Sequence, residues 1–239
     1  MKVADHVEMI ELNIEGFKIN PTLLWDDEMA ILVDTGMPGQ LSAIKAAMQQ
    51  VGVPFEKLKA VILTHQDIDH IGSLPEILQE SQGKIEVYAH ELDKPYIEGT
   101  KHMMKADPTK ISKEVWETLS PSMQALYMNP PKAKVDHTLV DGQELSFFGG
   151  IQVIFTPGHT PGHISLYLNE SKTLVVGDAM VLNNGAINGP VPRNTPDMET
   201  AIHSLSKFLD YDIQSVICYH GGYTNENIKE QIQEIVQNN

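Results

Sequence analysis

The heptapeptide THQDIDH, residues 64–70, sets His65, Asp67, Asp69 and His70 within six consecutive positions. Imidazole nitrogens and carboxylate oxygens are ligands for zinc and for harder divalent ions, and both groups move protons. Alternate residues of an extended turn share a direction. His65 and Asp67 can therefore reach one ion while Asp69 and His70 reach another. Each residue alone has an ordinary reading, such as an acid in a first helical turn for Asp69 or a capped surface residue for His70. Four on one turn, none of them needed for packing, point to a metal or proton-transfer site. One cluster cannot close two metal sites, and three more ligand-type residues stand in matching positions. They are His159 in Thr156-Pro157-Gly158-His159, Asp178 in Gly177-Asp178, and His220 in Tyr219-His220-Gly221-Gly222. Each follows an apolar run, and the glycines let the backbone bend close to an ion.

The elements that must carry these residues read as short strands alternating with helices. Thr22–Leu24 and Met29–Val33 form a hairpin pair across Asp26-Asp27-Glu28, and the second strand ends at Asp34-Thr35-Gly36. Gln40 to Val51 is a helix with Leu41, Ile44, Ala47 and Met48 on one face. Val61–Leu63 is a buried strand running straight into the heptapeptide. Ser73-Leu74-Pro75-Glu76 has the spacing of a capping box and opens a helix through about Glu80. Ile85–Tyr88 is the next strand. Residues 91–135, with Met103, Met104, Trp116 and Met123, carry helical signals and are expected to be a helical insertion, either a lid or a packing subdomain. Strands resume at Leu145–Phe148, Ile151–Phe155, Ile164–Leu168 and Thr173–Val176. A loop from Asn183 to Pro196 leads to a helix with Thr195 as N-cap and Pro196 at its first position. Strand Ile213–Cys218 and a helix from about Asn225 complete the order. The pattern is α+β with hairpins, in one domain over residues 1–239, and unlike a strict βαβ alternation.

Composition narrows the function. The chain has 239 residues and a net charge of −15. Such acidity argues against a broad nucleic-acid or anionic-membrane footprint. The lone Cys218 excludes an internal disulfide. MKVADHVEMI lacks the apolar core of a signal peptide, and no run approaches the roughly 18 apolar residues of a membrane span. A cytoplasmic protein with a small-molecule substrate is expected, with its oligomeric state open.

The string His65-x-Asp67-x-Asp69-His70, followed by His159, Asp178 and His220, resembles the metallo-β-lactamase superfamily. Asp34-Thr35-Gly36 and Pro157-Gly158-His159-Thr160-Pro161-Gly162-His163 also match stretches typical of that family. The resemblance spans about residues 20 to 222. It implies an αββα four-layer sandwich with two metal ions at one edge of the facing sheets. It implies that His65, Asp67 and His159 hold the first ion, that Asp69, His70 and His220 hold the second, and that Asp178 bridges. It further implies a hydroxide shared by the ions that attacks an ester, lactone or thioester, with Asp69 passing on the proton. Zinc is the first expectation, with manganese or iron as alternatives.

One position departs from the family pattern. Most members carry His where Asp67 stands. The added carboxylate turns a site with one net positive charge into a neutral one, so a bound water should be less acidic. Asp67 either ligates or only hydrogen-bonds beside a weaker site. Other members of the family suggest other readings. These are a phosphodiesterase or nuclease, a non-catalytic binder, and an iron-redox protein, for whose flavin domain 239 residues leave no room. The Tyr that lactonases carry shortly after the bridging Asp is absent, since Ala179-Met180-Val181-Leu182 follows Asp178. The basic C-terminal region of glyoxalase II-like thioesterases is reduced to Lys229. Weaker substrate-binding candidates are His163, Asn183 and Arg193, and Lys101, Lys105 and Lys110 are a possible patch for a small anion. His90 reads as a helix-start neighbour and Cys218 as a small buried hydrophobe.

Overall fold

In the strand Ala30–Val33 all four side chains are buried in the computed structural model, which describes residues 1–14 and 16–238. Ile31 and Val33 join one apolar core and Ala30 and Leu32 another, because side chains alternate across a sheet. A strand covered on both faces reads as a continuous apolar run, which is why its sequence shows no polar alternation.

That strand lies in the middle of a seven-stranded sheet. The order is Lys2–Ala4, Val7–Met9, Thr22–Trp25, Ala30–Val33, Leu58–Ile62, Glu86–His90 and His137–Leu139. Pairing is antiparallel as far as Ala30–Val33 and parallel beyond it. A six-stranded sheet faces it, in the order Glu144–Leu145, Ile151–Phe155, Ile164–Leu168, Thr173–Val175, Ser215–Cys218 and Gly222–Thr224. Leu24, Ile31 and Ile62 of the first sheet meet Val153, Leu166 and Ile217 of the second in the central core.

Helices cover the outer faces. Helix Leu41–Gln50 buries Ile44 and Met48 against the first sheet, and helix Leu74–Glu80 buries Leu74 and Ile77. Gln40 gives no side-chain cap, so packing holds the first helix, at about 1.5–3 kcal/mol for each fully buried large apolar side chain. Helices Met198–Leu205 and Ile228–Gln237 cover the second sheet with Ile202, Leu205, Ile228 and Ile232. The architecture is the αββα sandwich. Among the described residues no helix is long and apolar enough to cross a membrane.

Several local expectations give way to tertiary partners. The Ser73 hydroxyl donates to the Met37 carbonyl (2.6 Å) and accepts from Gln40 N (2.8 Å), so it caps no helix of its own. Thr195 is not the N-cap. Asp197 is, accepting from Thr200 N. The expected loop from Asn183 contains the end of a hairpin, Val181–Asn183 with Ala186–Asn188, turning at Asn184-Gly185 with both residues at positive φ. The strand expected over Leu145–Phe148 is only Glu144–Leu145, and the one from Ile213 begins at Ser215. The last helix starts at Ile228. Residues 91–135 hold helices Lys94–Ile97, Lys113–Thr118 and Pro121–Met128, the last two capped by Ser112 and Ser120.

Candidate metal centre

Strand Leu58–Ile62 delivers the heptapeptide to one edge of the sandwich. Its first residue, Thr64, donates to Asp34 through its amide (2.8 Å to Oδ1) and its hydroxyl (2.7 Å to Oδ2). Asp34 adopts φ +60, a left-handed conformation uncommon outside glycine and tolerated best by Asp and Asn. Holding it there are these bonds and the bond from His70 Nδ1 to Asp34 Oδ2 (2.9 Å).

These contacts settle which nitrogen of each ring faces the site. Thr64 spends its only hydroxyl hydrogen on Asp34, so it accepts from His65 Nδ1 at 3.0 Å, and His65 Nε2 keeps a free lone pair. Thr195 donates to the Val191 carbonyl (2.9 Å) and therefore accepts from His159 Nδ1 at 3.3 Å, which leaves the His159 Nε2 lone pair turned into the site, where it meets Lys105 Nζ. His70 Nδ1 donates to Asp34. Three Nδ1 atoms are thus engaged outward and three Nε2 atoms turn inward, as metal-binding imidazoles are held.

The structure brings all seven expected ligands together at one edge, in two groups. His65, Asp67, His159 and Asp178 offer donor atoms within 4.8 Å of one another, and so do Asp69, His70 and His220. Asp178 faces both groups. Its Oδ2 is 3.3 Å from His159 Nε2, while its Oδ1 is 3.3 Å from His70 Nε2 and 3.4 Å from His220 Nε2. Asp69 Oδ2 is 3.3 Å from His220 Nε2, and Asp67 Oδ2 is 3.1 Å from His159 Nε2. His65 Nε2, His70 Nε2 and Asp178 Oδ1 are buried and make no hydrogen bond among the described residues. Buried polar atoms are otherwise almost always partnered, so these orphaned atoms fit a bound cation.

The charges agree. Burial holds the His65 imidazole well below its ordinary pKa and therefore neutral. Burial also opposes charge on His70 and His220, but carboxylates outweigh it. Asp34, Asp178 and Asp69 hold His70 well above the usual range, and Asp178 and Asp69 push His220 up to about 9. Burial likewise works against the Asp178 carboxylate, yet His70 and His220 hold its pKa well below the usual range.

The weaker candidates divide. His163 is fully buried, accepts from Asp178 N at Nε2 (3.0 Å) and meets Thr156 Oγ1 at Nδ1 (2.9 Å), so it braces Asp178 and lies out of a substrate's reach. Asn183 and Arg193 line a cleft beside the centre, together with Lys18. Arg193, the chain's one arginine, has no ion pair among the described residues. The basic patch does not form. Lys110 pairs with Asp107 at 3.6 Å, Lys101 lies over the Tyr96 ring, and Lys105 reaches Asp67. His90 stacks on Phe155, away from the site, and Cys218 is buried.

Asp93, Phe17 and Tyr127 were not singled out in the sequence. Asp93, fully buried, accepts from Gln66 N and Nε2, from Thr160 Oγ1 and from Gly162 N, and so ties both ligand loops to the insertion. Phe17 borders the whole cleft with its ring 5.4 Å from that of His220. Met103, Met123 and Tyr127 of the insertion wall one half of the cleft with Met37 and Ile68. An aromatic or thioether side chain in a surface segment carries no local sign of such a role.

The model of the metallo-beta-lactamase superfamily matches residues 14–220. The chain belongs to that superfamily. It is similar to the probable metallo-hydrolase YflN of Bacillus subtilis, 33% identical over 86% of this chain and 80% of that one. It is also similar to the hydroxyacylglutathione hydrolase GloC of Haemophilus influenzae, 26% identical over 88% of this chain and 89% of that one. The metallo-beta-lactamase family protein TTHA1429 of Thermus thermophilus shares its fold, with a TM-score of 0.74 at 22% identity, covering 99% of this chain and 80% of that one. The superfamily protein described here is a metal-dependent hydrolase.

Proposed function

We propose that this superfamily member hydrolyses an ester, lactone or thioester of a small molecule at a centre of two divalent ions. The observation that carries the reading is Asp178, which turns one carboxylate oxygen toward each group of ligands. His65, Asp67 and His159 would hold one ion and Asp69, His70 and His220 the other. Zinc suits the imidazoles, while the carboxylates also suit manganese or iron. Ions held there supply Lewis acidity and a water acidic enough to attack at neutral pH.

The chain's own residues supply the remainder. Asp69 lines both halves of the cleft and is half-buried, so it can take the proton of the attacking water and hand it to the leaving group. The wall of Met37, Ile68, Met103, Met123 and Tyr127 suits an apolar acyl part, since thioethers adapt to varied shapes. Asn183, Asn194 and Arg193 on the other side suit a polar or anionic leaving group. The activity named for the Haemophilus relative supports a thioester. The net charge of −15 disfavours a nucleic-acid backbone.

Elemental analysis of the purified protein, with turnover of lactones, thioesters and phosphodiesters, tests this reading. Two ions per chain and turnover of an ester, lactone or thioester are expected. A protein that stays metal-free after loading with zinc, manganese and iron, or that turns over phosphodiesters alone, would overturn it.

A further inference from the structure

The first group of ligands already holds a cation of the chain. Lys105 Nζ lies 2.5 Å from Asp67 Oδ2 and 2.5 Å from His159 Nε2. The second group has no such neighbour among the described residues, and there His70 Nε2 and Asp178 Oδ1 make no hydrogen bond.

This lysine is delivered by the fold. Its side chain is 24% exposed, and the residues flanking Met104-Lys105, Met103 and Ala106, are buried. Met104 N donates to Gln66 Oε1 (2.9 Å), and Gln66 in turn donates twice to the buried Asp93. Gln66 stands between His65 and Asp67. The turn that presents two ligands of the first site therefore also fixes the backbone beside Lys105.

Two roles compete for such a lysine. One is to meet an anionic part of the substrate. Against it, Nζ is turned to Asp67 and His159, and Arg193, which has no ion pair among the described residues, is a cation that the cleft presents, while its other cation, Lys18, pairs with Glu11. The other role is within the site. Zinc would sit about 2.0–2.2 Å from the same oxygen and nitrogen. An ammonium 2.5 Å from both atoms cannot share that space with it.

We propose that Lys105 is a built-in competitor for the first metal ion, its ammonium and the ion exchanging places at Asp67 and His159. The two sites then bind unequally, the site of Asp69, His70 and His220 tightly and the site of His65, Asp67 and His159 weakly. Asp67, in place of the usual imidazole, is what makes the exchange workable, since a carboxylate pairs with an ammonium and a neutral imidazole offers only a lone pair. On metal entry the flexible lysine stem swings into the cleft beside Met103 and Met123. This inference rests on the binuclear reading above.

The test is calorimetric titration of the metal-free full-length protein with zinc in a competing chelator, for wild type, Lys105→Met and Lys105→Gln. The wild type should show one tight and one weaker step. Both variants should strengthen the weaker step by about tenfold or more and leave the tight step in place. Two equal steps in the wild type would overturn the proposal. So would a weaker first-site step in both variants, which would make Lys105 a support for Asp67. A wild type that binds no zinc at all fails differently, because it removes the binuclear centre itself.

Discussion

Asp34 reaches neither face of the site that would meet an ion, yet it aims His70 and, through the Thr64 hydroxyl, His65. Partners of this kind typically change metal affinity by about 10–100-fold. Asp34→Ala is therefore expected to weaken the tight zinc step by that factor in a chelator competition, and an unchanged affinity would show that the rings aim themselves. Asp69→Asn, assayed at saturating zinc because Asp69 also belongs to the second group of ligands, keeps the shape but removes the proton acceptor. It should lower kcat by about 10²–10⁴-fold, and a smaller loss would transfer the proton role elsewhere. Histidine charge gives a third expectation at this scale. His220 has its pKa raised to about 9 in the metal-free fold, against an ordinary value of 6.5. Its contribution to stability is complete below about pH 6.5 and is lost as pH rises through about 9. His70 shifts in the same direction. His65 and His163, held neutral by burial, contribute only a small opposite change at the low end of that window, as the unfolded imidazoles lose their last protons. Thermal melts of the metal-free protein should thus fall from pH 6.5 to 9, whereas zinc affinity should rise over the same range as the competing protons leave. A flat melting profile would contradict the paired-imidazole picture.

At the scale of elements, the positions of the clustered His and Asp residues were legible because each follows a buried apolar run and sits next to glycine or a turn. The same logic places the heptapeptide, Asp178 and His220. Strands of three residues such as Lys2–Ala4 and Leu12–Ile14 were not legible, since they hold too few alternations to show a period. The Ser73 and Thr195 motifs failed for another reason. Their hydroxyls meet partners distant in sequence, Met37 for Ser73 and His159 for Thr195, and these outcompete a local cap. Asp93 was illegible in the same way, because its partners lie 27, 67 and 69 positions along the chain. Its burial raises its pKa, so its four donors carry the cost of keeping it there. Asp93→Ala would leave those donors facing a cavity, at about 1–3 kcal/mol for each one left unpaired. A loss of at least about 3 kcal/mol in urea unfolding is expected, together with weaker metal binding at both loops. A loss under about 1 kcal/mol would mean that water replaces the carboxylate.

At the scale of the whole molecule, the candidate metal centre is a joint between two sheets. His65, Asp67, Asp69 and His70 follow a strand of the seven-stranded sheet, while His159, Asp178 and His220 follow strands of the six-stranded one. Each group of candidate ligands draws on both sides of the sandwich, across as many as 151 positions from Asp69 to His220. An unfolded chain cannot gather such a set, so metal binds the folded state almost exclusively. Its whole binding energy therefore appears as folding stability, about 2.7 kcal/mol for a site at a hundredfold excess of free ion over Kd. For a chain of this size that corresponds to roughly 5–10 °C in Tm. Zinc added to the chelated protein should raise Tm by that amount for the tight site, and a chelator should reverse it. His220→Ala breaks only the second site, so it should abolish most of the rise at low zinc and leave a smaller one at high zinc. An equal rise in that variant would mean that the first site alone joins the sheets, and no rise in the wild type despite measured binding would mean that one sheet holds the metal without the other.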